Sequence, residues 1–309
     1  MEQFYSNGKL LITGEYVVLD GALSLALPSK YGQSLKISPI EGNSLIWKSY
    51  TSAAEIWFET RLEYTEIKNY RPPSKHRKNK SEASVKETLL RILSEAQHLN
   101  TNFLKNAEGL LVETHLSFPR DWGLGSSSTL INNIAQWAQV DAFKLLWGAF
   151  SGSGYDIACA QHKTPILYQL VNHRPIVKEV TFDPPFKDQL YFIHLNKKQN
   201  SREGIAQYRM MAMDQPNLIS AMAEITNRLL QCTDILEFNS LINKHEQLIA
   251  ATLQIETVKS KLFPDFPGSI KSLGAWGGDF ILATGSKETI SYFNKKGFKT
   301  IIPYSEMIL

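Results

Sequence analysis

The sequence has little of three things that mark specialised classes of protein. Its two cysteines, Cys159 and Cys232, cannot build a disulfide framework or a structural zinc site. Its net charge is only +3, from 33 Lys and Arg against 30 Asp and Glu, so charge gives no reason to expect a nucleic-acid or membrane partner. The longest segment without a charged residue, 122–140, contains Ser, Thr, Asn and Gln and is a poor membrane span. With no charged leader before an apolar run, the chain is predicted to be soluble and cytoplasmic.

What the chain does have is the composition of a folded globular protein, with 43% hydrophobic and 20% charged residues. Short apolar runs over residues 10–61, several of them separated by turns with glycine or asparagine, predict a largely antiparallel sheet, with residues 16–20 as one of its strands. Apolar residues at helical spacing predict helices behind a cap at Ser81 or Ser84, from the serines at 126–128 onward, over 216–232 and over 236–255. The pattern changes near residue 180, which predicts two domains, 1–180 and 181–309.

A basic segment, 68–80, interrupts the strand pattern with six Lys and Arg residues, two prolines and no acid. Three interpretations stay open at this point: a solvated loop, a loop that attracts the phosphate of an anionic substrate, and a nucleic-acid patch. The last is the least supported, because the segment has no aromatic ladder and no basic stripe continues it elsewhere.

The segment PRDWGLGSSSTL, residues 119–130, is the most informative stretch of the chain and is called the second motif below. A strand ends just before it, and a helix is predicted to begin at its serines. Glycines let a backbone approach an anion closely, and the free amides of a helix start attract phosphate. An ordinary glycine turn with a serine cap explains the same letters. The spacing is not that of a Walker A loop, because no Lys follows the last glycine.

Three further segments complete a pattern. The first motif, 8–28, reads GKLLITGEYVVLDGALSLALP; the catalytic loop, 151–160, reads SGSGYDIACA; the third motif, 271–284, reads KSLGAWGGDFILAT. In this order, the four segments resemble the GHMP kinase superfamily, and they are closest to the motifs of mevalonate kinase and phosphomevalonate kinase. The resemblance implies an α+β, two-domain GHMP kinase fold. Its N-terminal domain is a ribosomal-protein-like β-α domain, and its C-terminal domain is ferredoxin-like.

The resemblance also implies roles for particular residues. Asp156 would take or orient the proton of the attacking hydroxyl, and Lys9 would hold that aspartate ionised and neutralise charge on the transferred phosphoryl group. ATP and Mg²⁺ are the expected cofactors, with Ser127 as the expected metal ligand. The residues expected to bind the nucleotide are Gly123, Leu124, Gly125, Ser126, Ser127, Ser128, Gly274, Gly277 and Gly278. Those expected to contact the substrate are Glu15, Tyr16, Ser153, Gly154 and Ser201.

The chain also departs from the family pattern. Tyr16 follows Glu15 where mevalonate kinases usually carry histidine, and this version looks more like bacterial phosphomevalonate kinases. Residues 142–155 contain no acid, so the glutamate that binds Mg²⁺ in many members is missing, and the nearest acid is Asp141. The segment KKQNSREGI, 197–205, resembles diphosphomevalonate decarboxylases, whose other marks are absent.

These observations predict an ATP-dependent kinase that phosphorylates mevalonate or 5-phosphomevalonate in isoprenoid precursor synthesis. The alternatives are a kinase for another small alcohol or a sugar, a catalytically silent nucleotide-binding or regulatory protein on the same fold, and a diphosphomevalonate decarboxylase. The expected partners are ATP and a small acid, without nucleic acid or membrane, and the oligomeric state is left open, a homodimer included. If the acceptor is already phosphorylated, the candidates expected to hold its phosphate are Lys197, Lys198, Arg202 or the basic loop 71–80.

Overall fold

The computed structural model describes residues 1–71, 84–105, 107–197, 201–211, 215–274 and 276–309. They form two compact units, each assembled from separate stretches of chain. Unit 1 contains residues 1–8, 31–120 and 125–161, and unit 2 contains residues 9–30, 121–124 and 162–309. The division into domains at residue 180 stays a prediction. Most of the basic segment lies outside the described residues, so its role also stays a prediction.

Within the described residues, the chain contains strands, α-helices and two short 3₁₀ helices. The strands are β1 (Glu2–Leu11), β2 (Ser24–Pro39), β3 (Ser44–Tyr50), β4 (Ile56–Glu63), β5 (Leu110–Leu116), β6 (Ile166–Val171), β7 (Arg174–Glu179), β8 (Leu190–His194), β9 (Ile270–Ser272), β10 (Phe280–Thr284) and β11 (Ile301–Pro303). The helices are α1 (Tyr64–Asn69), α2 (Val85–Leu99), α3 (Ser126–Ala138), α4 (Ala142–Ala149), α5 (Tyr155–Gln161), α6 (Ser201–Met211), α7 (Gln215–Gln231), α8 (Ile235–Leu253), α9 (Val258–Leu262), α10 (Glu288–Lys295) and α11 (Tyr304–Met307). The 3₁₀ helices are Val17–Asp20 and Lys187–Gln189.

Unit 1 is a sheet whose apolar face is covered by helices. Strand β3 pairs antiparallel with β4 and parallel with β5, and β5 pairs antiparallel with residues 33–39 of β2. Alternating side chains of β3 enter the core, where Trp47 is fully buried, as expected of a strand that has one covered face. Helices α2, α3 and α4 supply the rest of the core with leucine, isoleucine and alanine.

Unit 2 contains an antiparallel sheet of four strands in the order β11-β8-β10-β9. Every residue of β8 and of β10 is buried, so these two strands form the centre of this unit. Phenylalanines 263, 266 and 293 pack into one cluster with the sheet residues Ile193 and Ile281. A second group of strands joins residues 24–26 of β2 to β6, and β6 to β7.

The structure confirms the fold class, the positions of four helices and one of the two caps considered for α2. The architecture is α+β with two sheets, and helices α2, α3, α7 and α8 lie where apolar spacing predicts them. Of the two caps considered for α2, the one at Ser84 forms, and Ser84 Oγ accepts the amide of Glu87 at 3.1 Å. No helix within the described ranges is both long enough and apolar enough to span a membrane.

One detail of the sheet prediction is wrong. Residues 16–20 are not a strand, because Val17–Asp20 forms a 3₁₀ helix between Gly14 and Gly21. Both glycines have positive φ, 89° and 86°, and Tyr16 has φ of 65°, so the backbone leaves the extended conformation at three points from residue 14 to residue 21. The prediction of a largely antiparallel sheet is confirmed, because among the strand pairs described above only β3 with β5 is parallel.

Candidate active site

The second motif folds as a glycine loop that leads directly into α3. Gly123 and Gly125 have φ of 66° and 92°, a left-handed conformation that glycine adopts without a steric penalty. Gly125 is the N-cap residue of α3, and no side chain caps this end of the helix. An uncapped helix start presents backbone amides and the positive end of the helix dipole, which suits a phosphate group.

The three serines that begin α3 differ in what their hydroxyls can do. Ser128 is buried, and its Oγ donates a hydrogen bond to the carbonyl of Gly125 at 2.8 Å. That hydroxyl stabilises the loop. Ser127 is exposed and Ser126 is half-buried. The expected contact with Mg²⁺ through Ser127 therefore stays a prediction that its exposure favours.

Lys9 lies near the end of β1 and is half-buried. Its amide donates to the carbonyl of Leu124 at 3.0 Å, which joins the first motif to the second within unit 2. Lys9 also lines a cavity of about 10 Å³, close to the volume of one water molecule. The other residues that line this cavity are Leu10, Leu11, Trp122, Gly123, Leu273, Gly274, Asp279 and Phe280. The cavity thus brings together parts of all three motifs.

The third motif is the hairpin between β9 and β10. The amide of Leu273 donates to the carbonyl of Phe280 at 3.1 Å and closes the loop, while Gly274 and Gly277 have φ of 69° and 88°. Gly278 is buried, and the loop's tryptophan, Trp276, packs into an apolar cluster that also contains Tyr16. The predicted contacts of the three glycines with nucleotide remain untested.

The catalytic loop belongs to unit 1. The amide of Ala158 donates to the carbonyl of Gly154 at 3.1 Å, so α5 begins immediately after Gly154 and places Asp156 in its first turn. Asp156 is half-buried and Ser153 is buried. Trp147 Nε1 donates to the carbonyl of Gly152 at 3.1 Å and fixes the start of the loop. The roles of Asp156, Ser153 and Gly154, and the expected pairing of Asp156 with Lys9, stay predictions.

Glu15 belongs to a group of four ionisable side chains, Glu15, His245, Glu246 and Lys271, here called the buried cluster. Each is at most 3% exposed. Lys271 Nζ lies 2.5 Å from Glu15 Oε1 and 3.2 Å from Glu246 Oε1. His245 Nε2 lies 3.1 Å from Glu15 Oε2 and accepts the amide of Gly14 at 3.0 Å. The cluster therefore holds the turn of the first motif against α8 and β9.

Charge within the buried cluster is balanced by neighbours. Burial alone would raise the pKa of Glu15, but Lys271 and His245 together hold it below its ordinary value. Burial raises the pKa of Glu246 to about 7, although Lys271 opposes the shift. Burial and Lys271 lower the pKa of His245. Near neutral pH, the core of the cluster is thus an ionised Glu15 paired with Lys271.

Tyr16 adopts an unusual conformation and contacts α6. Its φ is 65°, and its ring stacks on Tyr208 with 5.8 Å between ring centroids. A Cβ atom built on Gly204 would lie 2.4 Å from the Tyr16 hydroxyl, so a larger residue at that point of α6 would have to displace the Tyr16 side chain. The turn of the first motif therefore packs directly against α6 at Gly204. The side chains of Ser201 and Arg202, and all of Lys198, lie outside the described residues, so their predicted contacts stay predictions.

Sequence reasoning did not identify His245, Glu246, Lys271 or Asp279 as site residues. Lys271 and Asp279 stand within the third motif, and that position was the available signal. His245 and Glu246 are adjacent residues of an amphipathic helix, where letters alone do not show that both are buried. Among the described residues, no group of three His, Cys, Asp or Glu side chains could hold a metal ion without other ligands.

Comparison with solved structures assigns the fold. Methanococcus jannaschii mevalonate kinase matches with a TM-score of 0.69 and 16% identity, over 97% of this chain and 96% of that one. Streptococcus pneumoniae phosphomevalonate kinase, in complex with phosphomevalonate and AMPPNP, matches with a TM-score of 0.69 and 17% identity, over 96% of each chain. Lactococcus lactis galactokinase, complexed with galactose, matches with a TM-score of 0.64 and 13% identity, over 95% and 88%.

These three proteins are GHMP kinases, and the chain has the two-domain α+β fold that they share. The resemblance found in the motifs is confirmed at the level of the fold. No family model and no curated protein sequence matches the chain.

Proposed function

We propose that the protein is an ATP- and Mg²⁺-dependent kinase that phosphorylates a small alcohol or phosphate monoester. The observation that carries this proposal is the second motif, a left-handed glycine loop that ends in an uncapped helix start. Two glycines with positive φ precede α3, and an exposed Ser127 hydroxyl lies in the first turn. This arrangement fits the phosphates of a nucleotide. The likeness of fold to an AMPPNP-bound kinase supports the same nucleotide class.

Mevalonate and 5-phosphomevalonate are the proposed acceptors, which would give the protein a role in cytoplasmic isoprenoid precursor synthesis. Mevalonate kinase and phosphomevalonate kinase are among the structural neighbours. The sequence Gly14–Glu15–Tyr16 favours the phosphorylated acceptor, and Lys197 would hold its phosphate. Replacing Lys197 with alanine should then raise the KM for 5-phosphomevalonate by about tenfold, as expected for one charged contact. An unchanged KM would remove Lys197 from this role.

Phosphoryl transfer asks the protein for alignment and charge stabilisation rather than for covalent chemistry. Asp156 would orient the acceptor hydroxyl and receive its proton. Lys9 would neutralise charge on the transferred group. Bound Mg²⁺ would supply charge compensation for the phosphates, and the oxygen of Ser127 suits it as a ligand because Mg²⁺ prefers oxygen.

The test is release of ADP from purified protein with MgATP, with mevalonate and 5-phosphomevalonate assayed side by side. We expect turnover with one acceptor, and loss of that turnover in Asp156→Asn. Turnover that survives in Asp156→Asn would contradict the assignment of the aspartate. Nucleotide binding without transfer to any acceptor would instead indicate a silent or regulatory protein.

A sugar kinase is the second candidate, because a galactokinase also shares the fold over most of the chain. Galactose belongs in the same assay, together with 5-diphosphomevalonate. ADP release with galactose alone would favour the sugar kinase. ADP release accompanied by carbon dioxide from the diphosphate would favour the decarboxylase.

A further inference from the structure

The carboxylate of Asp279 lies directly beside the glycine loop of the second motif. A Cβ atom built on Gly123 would lie 2.4 Å from Asp279 Oδ2, and one built on Gly274 would lie 3.6 Å from the same oxygen. Oδ2 thus occupies the space between a glycine of the second motif and a glycine of the third. Asp279 also lines the small cavity that Lys9 lines. An acidic oxygen therefore lies beside the loop that is proposed to bind phosphates.

The backbone holds Asp279 in this position. Its φ is 54°, in the left-handed region that residues with a Cβ atom seldom adopt. Two hydrogen bonds fix it: its amide donates to the carbonyl of Lys197 at 2.7 Å, and its carbonyl accepts the amide of Leu195 at 2.8 Å. Glycine or asparagine would satisfy the same backbone conformation. The backbone conformation therefore does not by itself require an acid at this position.

A carboxylate beside a phosphate loop opposes phosphate binding, because like charges at short range repel one another. A divalent cation between them reverses the sign of the interaction. Mg²⁺ is commonly held by one or two protein carboxylates together with the phosphates of the substrate. The cavity beside Asp279 has the volume of about one water molecule, which is room for a single small ion or one of its waters.

We propose that Asp279 is the protein carboxylate that binds the Mg²⁺ ion accompanying the nucleotide. This assignment rests on the proposed function, since it needs nucleotide phosphates to complete the coordination. It also accounts for the absence of an acid from residues 142–155, because the third motif supplies the acid instead. It accounts for Gly123 as well, because any side chain there would displace the carboxylate.

The test measures nucleotide affinity as a function of metal rather than turnover. The affinity for ADP is measured calorimetrically with Mg²⁺ and with a chelator, for the wild-type protein and for Asp279→Asn. Mg²⁺ should tighten ADP binding by the wild-type protein, and the variant should lose at least about tenfold of that tightening, as for one charge-assisted contact. In the chelator, the variant should bind ADP as tightly as the wild type or more tightly, because a repulsive charge has gone. The affinity for Mn²⁺ in the presence of ADP, followed by the paramagnetic resonance of the ion, should fall in parallel in Asp279→Asn.

The matched control is Asp265→Asn, an exposed aspartate that pairs with Lys296, which should leave the metal dependence unchanged. If Asp279→Asn does not fold, Asp279→Gly removes the carboxylate at a backbone position that glycine tolerates. Full Mg²⁺ dependence in a folded Asp279 variant would overturn this inference and leave the proposed function standing. A wild-type protein that binds no nucleotide at all would overturn both.

Discussion

The first and third motifs together build two charged regions in unit 2 with opposite environments. The buried cluster takes Glu15 from the first motif and Lys271 from the third, and encloses both. The cavity takes Lys9 and Asp279 from the same two motifs and leaves both half-buried. In each region, one motif supplies a lysine and the other supplies an acid. The buried pair holds the turns together, whereas the half-buried pair is the one proposed to face the nucleotide. Burial decides which of the two roles a charge can have.

The physical reason lies in the cost of removing a charge from water. A fully buried carboxylate is tolerated only when a partner and hydrogen bonds compensate it, and Lys271 provides this for Glu15 by donating to Oε1. Such a group cannot reach a substrate without breaking that compensation. The expected contact of Glu15 with substrate remains a prediction, and the contacts of its carboxylate favour an indirect role through Gly14 and Tyr16.

Removal of Lys271 should produce the largest effect on stability. Lys271→Met leaves Glu15 buried without its cation, and the free energy of unfolding should fall by about 3–5 kcal/mol in urea denaturation. The matched control is Lys296→Met, which removes an exposed lysine from its pair with Asp265 and should cost under about 1 kcal/mol. The double variant Glu15→Gln with Lys271→Met should recover part of the loss. If both variants lose the same free energy of unfolding, burial does not distinguish the contribution of Lys271 from that of Lys296.

The pH dependence of stability should isolate Glu246. Its pKa is raised to about 7, so the folded state holds this proton more tightly than the unfolded chain does. The resulting stabilisation is complete below about pH 4.5 and is lost as the pH rises through about 7, a change of about 3 kcal/mol. Glu246→Gln keeps a hydrogen-bond acceptor for Ser272 and cannot titrate.

The quantity to measure is the difference in unfolding free energy between the wild type and Glu246→Gln at several pH values. As the pH rises from 4.5 to 7.5, the free energy of unfolding of the wild type should fall relative to that of Glu246→Gln. Glu15 and His245 have lowered pKa values and contribute pH dependence of the opposite sign, but they are present in both proteins. Parallel curves for the two proteins would contradict a titrating Glu246.

Unlike Lys271, Lys9 should contribute more to activity than to stability. Lys9→Met should lower kcat by about a hundredfold, as expected when a cation that stabilises the transition state is lost. Its effect on the free energy of unfolding should be well below that of Lys271→Met, because Lys9 is only half-buried. The check is a comparison of kcat with urea denaturation for both variants. A Lys9 variant that loses stability without losing kcat would move Lys9 into the structural class.

The sequence was sufficient for the fold class and for the long helices, because these depend on periodic apolar residues and on the order of four motifs. It was not sufficient for the buried cluster. His245 and Glu246 are adjacent letters of α8, and their partners Glu15 and Lys271 are far away in the sequence. Only the packing of α8 on β9 shows that all four side chains are buried. The 3₁₀ helix at 17–20 was missed for a similar reason, since its β-branched residues favour a strand locally and the flanking glycines override them.

The smallest expected effect concerns the contact between Tyr16 and Gly204 of α6. Tyr16 belongs to the turn of the first motif, and α6 follows Lys197, which is proposed to hold the phosphate of the acceptor. In Gly204→Ala, the new methyl group meets the Tyr16 hydroxyl. The cost of this overpacking should exceed the gain in helix propensity, so the free energy of unfolding should fall by about 1 kcal/mol. Tyr16→Phe removes that hydroxyl, so the double variant should regain most of the loss in thermal denaturation. If the contact also positions the acceptor, the KM for the acceptor should rise in Gly204→Ala and return in the double variant, whereas the KM for ATP should not change. A rise in the KM for ATP alone would indicate that α6 positions the nucleotide and not the acceptor.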